Sequence, residues 1–296
     1  MGAADVARRW IGSDLFMDPR PVGTSRQSWK GPERRLLMSL QASLLRGVVL
    51  AGGKGTRLLP MTRIVNKHLL PVYDRPMIYY PLASLQSAGV RDVCVVVGGR
   101  EPAEVEELLG DGRELGFARL TYAIQPSEDG IAAALSFARP SVGDAPMCVI
   151  LGDNILEESL APFARRFLTS STEAMVLLAA VGDAGRFGVP SFDANGRIEA
   201  IVEKPVRGGP GHAVVGVYFY RPSVWSVIAN LSPSDRGELE ITEVNNWYAK
   251  RGQLAHAVLD GFWGDAGTLE SLFEAAVAVR EWRVKHIDAV RRAVSQ

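Results

Sequence analysis

The stretch that decides the fold runs Gly47-Val48-Val49-Leu50-Ala51-Gly52-Gly53-Lys54-Gly55-Thr56-Arg57-Leu58. Its first five residues form a short apolar run, the pattern of a strand buried on both faces. Three glycines in four positions follow, and then an arginine. Glycines let backbone N–H groups approach a phosphate without side-chain collision, and a guanidinium offers phosphate oxygens a planar fork. A dinucleotide fingerprint would need a further glycine where Leu58 stands, and a Walker loop would need Gly-Lys-Ser/Thr where this chain has Gly-Lys-Gly. A tight turn between strand and helix is the plain alternative.

Outward from this loop the text alternates between strand and helix patterns. A helix is expected to open at Pro76, a strand over Val93 to Val97, a helix over Pro102 to Leu109 and a strand over Leu120 to Ile124. A helix over Ile131 to Ala138 and a strand over Met147 to Leu151 continue the rhythm. This alternation implies a parallel sheet covered by helices on both faces, with ligands at the carboxyl ends of its strands. After Ala174 to Val181 the pattern changes to short runs at Phe187 to Phe192, Ile198 to Glu203 and Val214 to Tyr220. Asn195-Gly196 between two of them signals a hairpin, so antiparallel strands are expected in the second half. Leu269 to about Arg292 reads as an amphipathic helix.

Composition narrows the function classes. Lys plus Arg and Asp plus Glu both total 33, so no global charge excess points to nucleic acid or to an anionic membrane surface. No apolar run approaches the roughly 18 residues of a membrane helix. Two cysteines, Cys94 and Cys148, sit inside apolar runs and read as reduced thiols of a cytoplasmic protein. Residues 1–45 lack periodicity and carry scattered Pro, Gly and Arg; they read as a disordered leader, with Met38 as a candidate start.

A second cation follows the loop in Asn66-Lys67-His68-Leu69-Leu70-Pro71, and then comes Arg75-Pro76-Met77-Ile78-Tyr79-Tyr80-Pro81-Leu82. Together these segments resemble the N-terminal signature of the glucose-1-phosphate thymidylyltransferases, in a short form. Further pieces fall in the same order: Gln125-Pro126-Ser127, Leu151-Gly152-Asp153-Asn154, Phe187-Gly188-Val189, Glu203-Lys204-Pro205, Val214-Val215-Gly216, Arg236-Gly237-Glu238-Leu239-Glu240-Ile241-Thr242 and Trp263-Gly264-Asp265. The likeness spans Arg46 to about Ala276. It implies one α/β domain over 46–296: a Rossmann-like three-layer nucleotidyltransferase fold with a mostly parallel central sheet and a smaller antiparallel sugar-binding portion.

The resemblance implies a role for each matching position. Leu50, Gly52, Gly53, Gly55, Thr56, Gln125, Pro126 and Gly130 would bind the nucleotide, and Gly188, Glu203 and Val214 the sugar. Arg57, Lys67 and Lys204 would be the catalytic cations, and Asp153 with Asp265 would hold Mg²⁺. Read by themselves, Asp153 and Asp265 suit helix caps equally well, and Glu203-Lys204 suits a solvated charged pair. His68, His212 and His256 lack metal-ligand spacing.

The implied reaction joins dTTP to glucose 1-phosphate, releasing pyrophosphate and dTDP-glucose for deoxysugar-type biosynthesis. The resemblance also implies a homo-oligomer, dimer or tetramer, with no nucleic-acid or membrane partner. The competing readings are a sister enzyme using UTP or another hexose phosphate, and a catalytically silent nucleotide-sugar sensor. Presence of Arg57, Lys67, Asp153, Lys204 and Asp265 together favours the enzyme. Two departures stand out. Pro190 interrupts a strand beside the expected sugar pocket, implying an edge or bulge there. The stretch after Asp265 is shorter than in relatives that carry a regulatory nucleotide site, so feedback control is not implied.

Overall fold

The computed structural model of the protein describes residues 45–98 and 102–294. The expected leader lies outside the described residues apart from Leu45, which is buried in the core. Strand β1 (Arg46–Ala51) holds the apolar run, and Val48, Val49 and Ala51 are fully buried. A small hairpin of β2 (Pro71–Val72) and β3 (Arg75–Pro76) leads to α1 (Tyr79–Ser87). The chain continues through β4 (Asp92–Gly98), α2 (Pro102–Leu109), β5 (Arg119–Gln125), α3 (Ile131–Ser136), α4 (Arg139–Val142), β6 (Met147–Leu151) and β7 (Asn154–Leu156). Next come α5 (Ala161–Thr169), β8 (Ala174–Val181), β9 (Gly188–Phe192), β10 (Ile198–Glu203), β11 (Gly211–Tyr220), α6 (Val224–Ala229) and α7 (Ile241–Ala249). Strands β12 (Leu254–Val258) and β13 (Trp263–Asp265) precede the long helix α8 (Leu269–Val294).

The main sheet runs β10-β9-β11-β6-β1-β4-β5, with β8 also on β11 and β12 on β8. Strands β6, β1, β4 and β5 are mutually parallel, in keeping with the apolar runs of β1, β4 and β6. Alternate residues of β1 serve opposite faces: Val49 and Ala51 pack with α1, α2 and α5, whereas Val48 and Leu50 pack with α3, α6 and α7. The result is three layers. A third apolar cluster seats α8, through Ala275 and Val279, on Val72, Tyr80, Ile155 and Ala266. Among the described residues no helix is long and apolar enough to cross a membrane.

The antiparallel strands of the second half extend this same sheet through β11, which pairs antiparallel with β6. Asn195-Gly196 turns β9 into β10, with Asp193 Oδ1 accepting from Asn195 N and Arg197 N. Strand β9 pairs along its length with β10 but pairs with β11 only where Gly188 faces Val214. Pro190 lies past that single pairing, where the missing N–H breaks no ladder to β11. One expected boundary is corrected. Pro76 opens no helix, because Met77 N and Ile78 N still bond to Leu70 O and His68 O, and α1 starts only at Tyr79.

Candidate active site

The carboxyl ends of β1 and β6 open into one cavity of about 590 Å³, within the usual range of small-molecule sites. Its lining includes Leu50, Gly52, Gly53, Arg57, Lys67, Gln125, Gly130, Asp153, Gly188, Glu203, Lys204, Val214 and Asp265. Three nucleotide-binding candidates, Gly55, Thr56 and Pro126, are not among the lining residues. Gly55 and Thr56 instead build the short 3-10 turn that carries Arg57, and Thr62 Oγ1 fastens that turn by donating to Gly55 O at 2.7 Å.

Asp153 ends the turn out of β6, and Asp265 closes β13. They come together because β13 pairs antiparallel with β7, setting Asp265 opposite Asn154. Lys67 Nζ donates to Asp153 Oδ2 at 2.6 Å, and Asn154 Nδ2 to Asp153 Oδ1 at 3.2 Å. Burial, the largest single influence, would raise the Asp153 carboxyl, but the Lys67 ammonium, the neighbouring His68 and the hydrogen bonds from Lys67 and Asn154 together hold Asp153 well below the usual carboxylate range. Asp265 is pushed the other way, by burial first and by the Asp153 charge second. Its Oδ1 is buried with no hydrogen-bond partner. A Cβ on Gly267 would stand 2.7 Å from that oxygen and 2.9 Å from Arg57 Nη2, so any side chain there would press on both groups.

His68 is a buttress beneath this pair. Its ring is buried, its Nδ1 lies 2.9 Å from Asn66 Oδ1, and a Cβ on Gly152 would be 2.6 Å from its Cδ2. Burial first and Lys67 second lower its pKa to about 3, keeping it neutral.

On the nucleotide side, Gln125 is buried at the end of β5, and its Oε1 would be 2.9 Å from a Cβ on Gly52. Gly130 has φ +100°, and a Cβ there would meet Leu239 O at 2.5 Å, so both backbone conformation and close approach require glycine. Across the mouth, Glu128 accepts from Lys54 N at 2.7 Å and pairs with Lys54 Nζ at 3.2 Å. On the other side, Thr242 Oγ1 donates to Glu203 Oε2 at 2.6 Å, and Lys204 Nζ lies 3.8 Å from Glu203 Oε1. A Cβ on Gly216 would stand 2.7 Å from both side-chain ends of Asn154, whose Oδ1 accepts from Gly216 N and Trp263 Nε1.

The sequence reading did not single out Glu128, Asn154, Arg186, Glu240 and Asn245 as lining residues, and it took Tyr218 for a core or subunit-contact residue. Tyr218 is indeed buried, but it also lines the cavity. For Asn154 a signal existed, since it follows Asp153 at the end of a buried strand. Arg186 precedes Phe187-Gly188 with no pattern of its own. Among the described residues no group of three or more His, Cys, Asp or Glu converges, and the two carboxylates stand as a pair.

The nucleotidyl transferase family profile matches residues 46–281. A glucose-1-phosphate thymidylyltransferase of Xanthomonas campestris pv. campestris (strain B100) is 46% identical over 234 residues, 78% of this chain and 79% of the relative. One of Neisseria gonorrhoeae is 45% identical over 239 residues, 80% and 83% of the two chains. A Bacillus anthracis protein assigned as a glucose-1-phosphate thymidylyltransferase and solved with sucrose superposes with a TM-score of 0.75 at 43% identity, covering 79% of this chain and 94% of that one. A UDP-glucose pyrophosphorylase solved with UDP-glucose shares the fold, with a TM-score of 0.70 at 24% identity over 80% and 98%. With the cavity at the strand ends, these matches place the chain in the nucleotidyl transferase family, alongside its glucose-1-phosphate thymidylyltransferases.

Proposed function

We propose that this nucleotidyltransferase joins dTTP to glucose 1-phosphate, giving dTDP-glucose and pyrophosphate. The observation that carries the reading is one cavity holding Arg57, Lys67 and Lys204 together with the Asp153–Asp265 pair, in a chain 42–46% identical to enzymes of that name. A phosphate oxygen of the sugar substrate attacks the α-phosphorus in line, the bond to the β-phosphate oxygen breaks, and pyrophosphate leaves with that electron pair. The attacking monoester is already ionised near neutral pH, so no general base is needed. The protein's work is to bring two mutually repelling anions together and stabilise charge as it moves to the leaving group.

Arg57 and Lys67 would grip the triphosphate, with Leu50, Gly52, Gly53, Gln125 and Gly130 around base and sugar. Gly55 and Thr56 would act by shaping the Arg57 turn, and Pro126 by ending β5. Glu203 and the backbone at Gly188 and Val214 would take the hexose, and Lys204 its phosphate. The donors fit a hard divalent cation, Mg²⁺: two adjacent carboxylates, one with a buried oxygen lacking a partner. Bound by Asp153 and Asp265, such an ion would neutralise charge on the phosphate oxygens. The proposal includes one domain over 46–296, work in the cytoplasm, and self-association. The exposed Leu269, Phe273, Val277 and Val284 of α8 supply apolar surface for a second copy.

The test is pyrophosphate release from glucose 1-phosphate with dTTP, UTP, ATP, CTP and GTP in parallel, with Mg²⁺ and with a chelator. Turnover led by dTTP and abolished by chelation supports the proposal. UTP ahead would keep the chemistry and change the base, and no turnover with any pair would overturn the reading.

A further inference from the structure

Two segments close the sugar end of the cavity. One runs from β8 to β9 and carries Arg186; the other runs from β10 to β11 and carries Lys204, and both cations line the cavity. Asp183, which does not line it, bonds to both segments. Its Oδ1 accepts from Gly185 N at 3.0 Å, within its own segment, and from Gly209 N at 3.1 Å in the other. Two backbone bonds run beside this tie: Ala184 N to Gly209 O at 2.9 Å and Lys204 N to Phe187 O at 3.0 Å.

The fit leaves no room for side chains. A Cβ on Gly185 would stand 2.8 Å from Gly208 Cα, and a Cβ on Gly208 would collide with the Asp183 carboxylate, to which its three nearest atoms all belong. Further inward, the Arg186 guanidinium lies 5.7 Å from the Phe187 ring centroid. Phe187 meets Trp263 edge-on at 5.0 Å, and Trp263 Nε1 donates to Asn154 beside Asp153. The segment carrying Arg186 is thus anchored on two sides: by Asp183 outside the cavity and by the Phe187–Trp263 contact inside it.

We propose that Asp183 is a positioning residue that ties the Arg186 segment to the Lys204 segment, so that both cations meet the phosphate of the sugar substrate at a fixed spacing. The proposal rests on the transfer reaction above. A carboxylate bonded to two backbone N–H groups in different segments resists their separation more strongly than a neutral contact would. Without the tie, each cation would be ordered only when substrate binds, and that ordering would count against affinity and turnover.

The experiment uses the full-length protein, dTTP, glucose 1-phosphate and Mg²⁺, with melting temperature recorded for each variant. Asp183→Ala is expected to lower kcat/KM for glucose 1-phosphate about tenfold while leaving the KM for dTTP within about twofold. Asp183→Asn keeps an acceptor oxygen and recovers most of the loss. Gly208→Ala, whose new methyl displaces the carboxylate while residue 183 stays aspartate, reproduces Asp183→Ala. Combining the two adds nothing, because the collision partner is gone. Wild-type kinetics in Asp183→Ala, an equal rise in both KM values, or additive losses would each overturn the role. If Asp183→Ala does not fold, Gly208→Ala decides alone: a loss confined to glucose 1-phosphate supports the tie, and unchanged kinetics sink it. Inactive wild-type protein would count instead against the transfer reaction, whereas active wild type with indifferent variants would count only against Asp183.

Discussion

The two ends of the cavity are built by different means. The nucleotide end grows from β1, β4, β5 and β6, neighbouring parallel strands in continuous register, so Leu50 and Gln125 are placed by the sheet itself and Gly52 directly follows it. The sugar end grows from β9, β10 and β11 and from turns, where register shifts occur and β9 pairs with β11 at one position. Its precision comes from side-chain ties: Thr242 on Glu203, Asn246 on Ile201 N and O, and Asp183 on Gly209 N. A sheet tolerates change that spares its ladder, whereas a tied turn depends on single polar atoms. The carboxylate pair belongs to neither end. It sits where the β7–β13 ladder brings residues 112 positions apart together, Asp153 and Asp265.

The largest effect is expected at that junction. Asp265→Asn should cut turnover by about 10²- to 10³-fold, the order seen when one transition-state electrostatic contact is removed. The same change relieves repulsion between the buried Asp153 and the half-buried Asp265, whose Oδ1 is buried and unsatisfied. Without substrate, the variant should therefore melt no lower than the parent and up to a few degrees higher. A melt that falls together with activity would show that Asp265 holds the fold and that the pair stores no strain.

Gly130→Ala ranks next and probes the nucleotide end where a turn, and not the ladder, forms it. The new methyl would meet a carbonyl oxygen of the 236–240 segment at 2.5 Å, with φ at +100°. Backbone strain of about 1–3 kcal/mol implies nucleotide binding weaker by roughly five- to 150-fold, read as KM for dTTP. Gly188→Ala is the counterpart at the sugar end. Its nearest neighbour is a side-chain methyl of the buried Ile201 at 3.0 Å and not backbone, so a shift of a few tenths of an ångström should let the fold accept it. A rise of about tenfold in KM for glucose 1-phosphate, with an unchanged melt, would place the hexose against this strand. Unchanged kinetics would remove Gly188 from the site.

Sequence legibility follows the same division. Apolar runs such as Val93–Val97 and Met147–Leu151 announce parallel strands because both their faces are covered, and the Gly-rich loop follows from its composition. The Asp153–Asp265 pairing is not local, and only the family likeness joined them. At Pro76 a good first-turn residue was read as a helix start, but the β2–β3 hairpin keeps its hydrogen bonds for two residues more. Arg186 and Asp183 were illegible for a further reason. The partners of Asp183 are backbone N–H groups, which leave no trace in residue type, and Arg186 lies over the ring of its own neighbour Phe187, which forms no spaced motif.

The smallest effect expected is also the most specific to this chain's nucleotide end. Glu128 places a carboxylate on Lys54 N, a backbone donor of the Gly-rich loop, and lies in the lining of the cavity. A triphosphate entering that loop meets a negative charge already bound to one of its donors. Both partners are substantially exposed, with side chains at 69% and 45%, so the ion pair itself contributes little to stability. Glu128→Gln keeps an acceptor for Lys54 N and removes only the charge. The KM for dTTP should then fall about two- to fivefold, most clearly at low ionic strength, with kcat and the KM for glucose 1-phosphate unmoved. A rise in nucleotide KM would mean that Glu128 orders the loop for its ligand, and the nucleotide end would then rely on side-chain ties as much as the sugar end does.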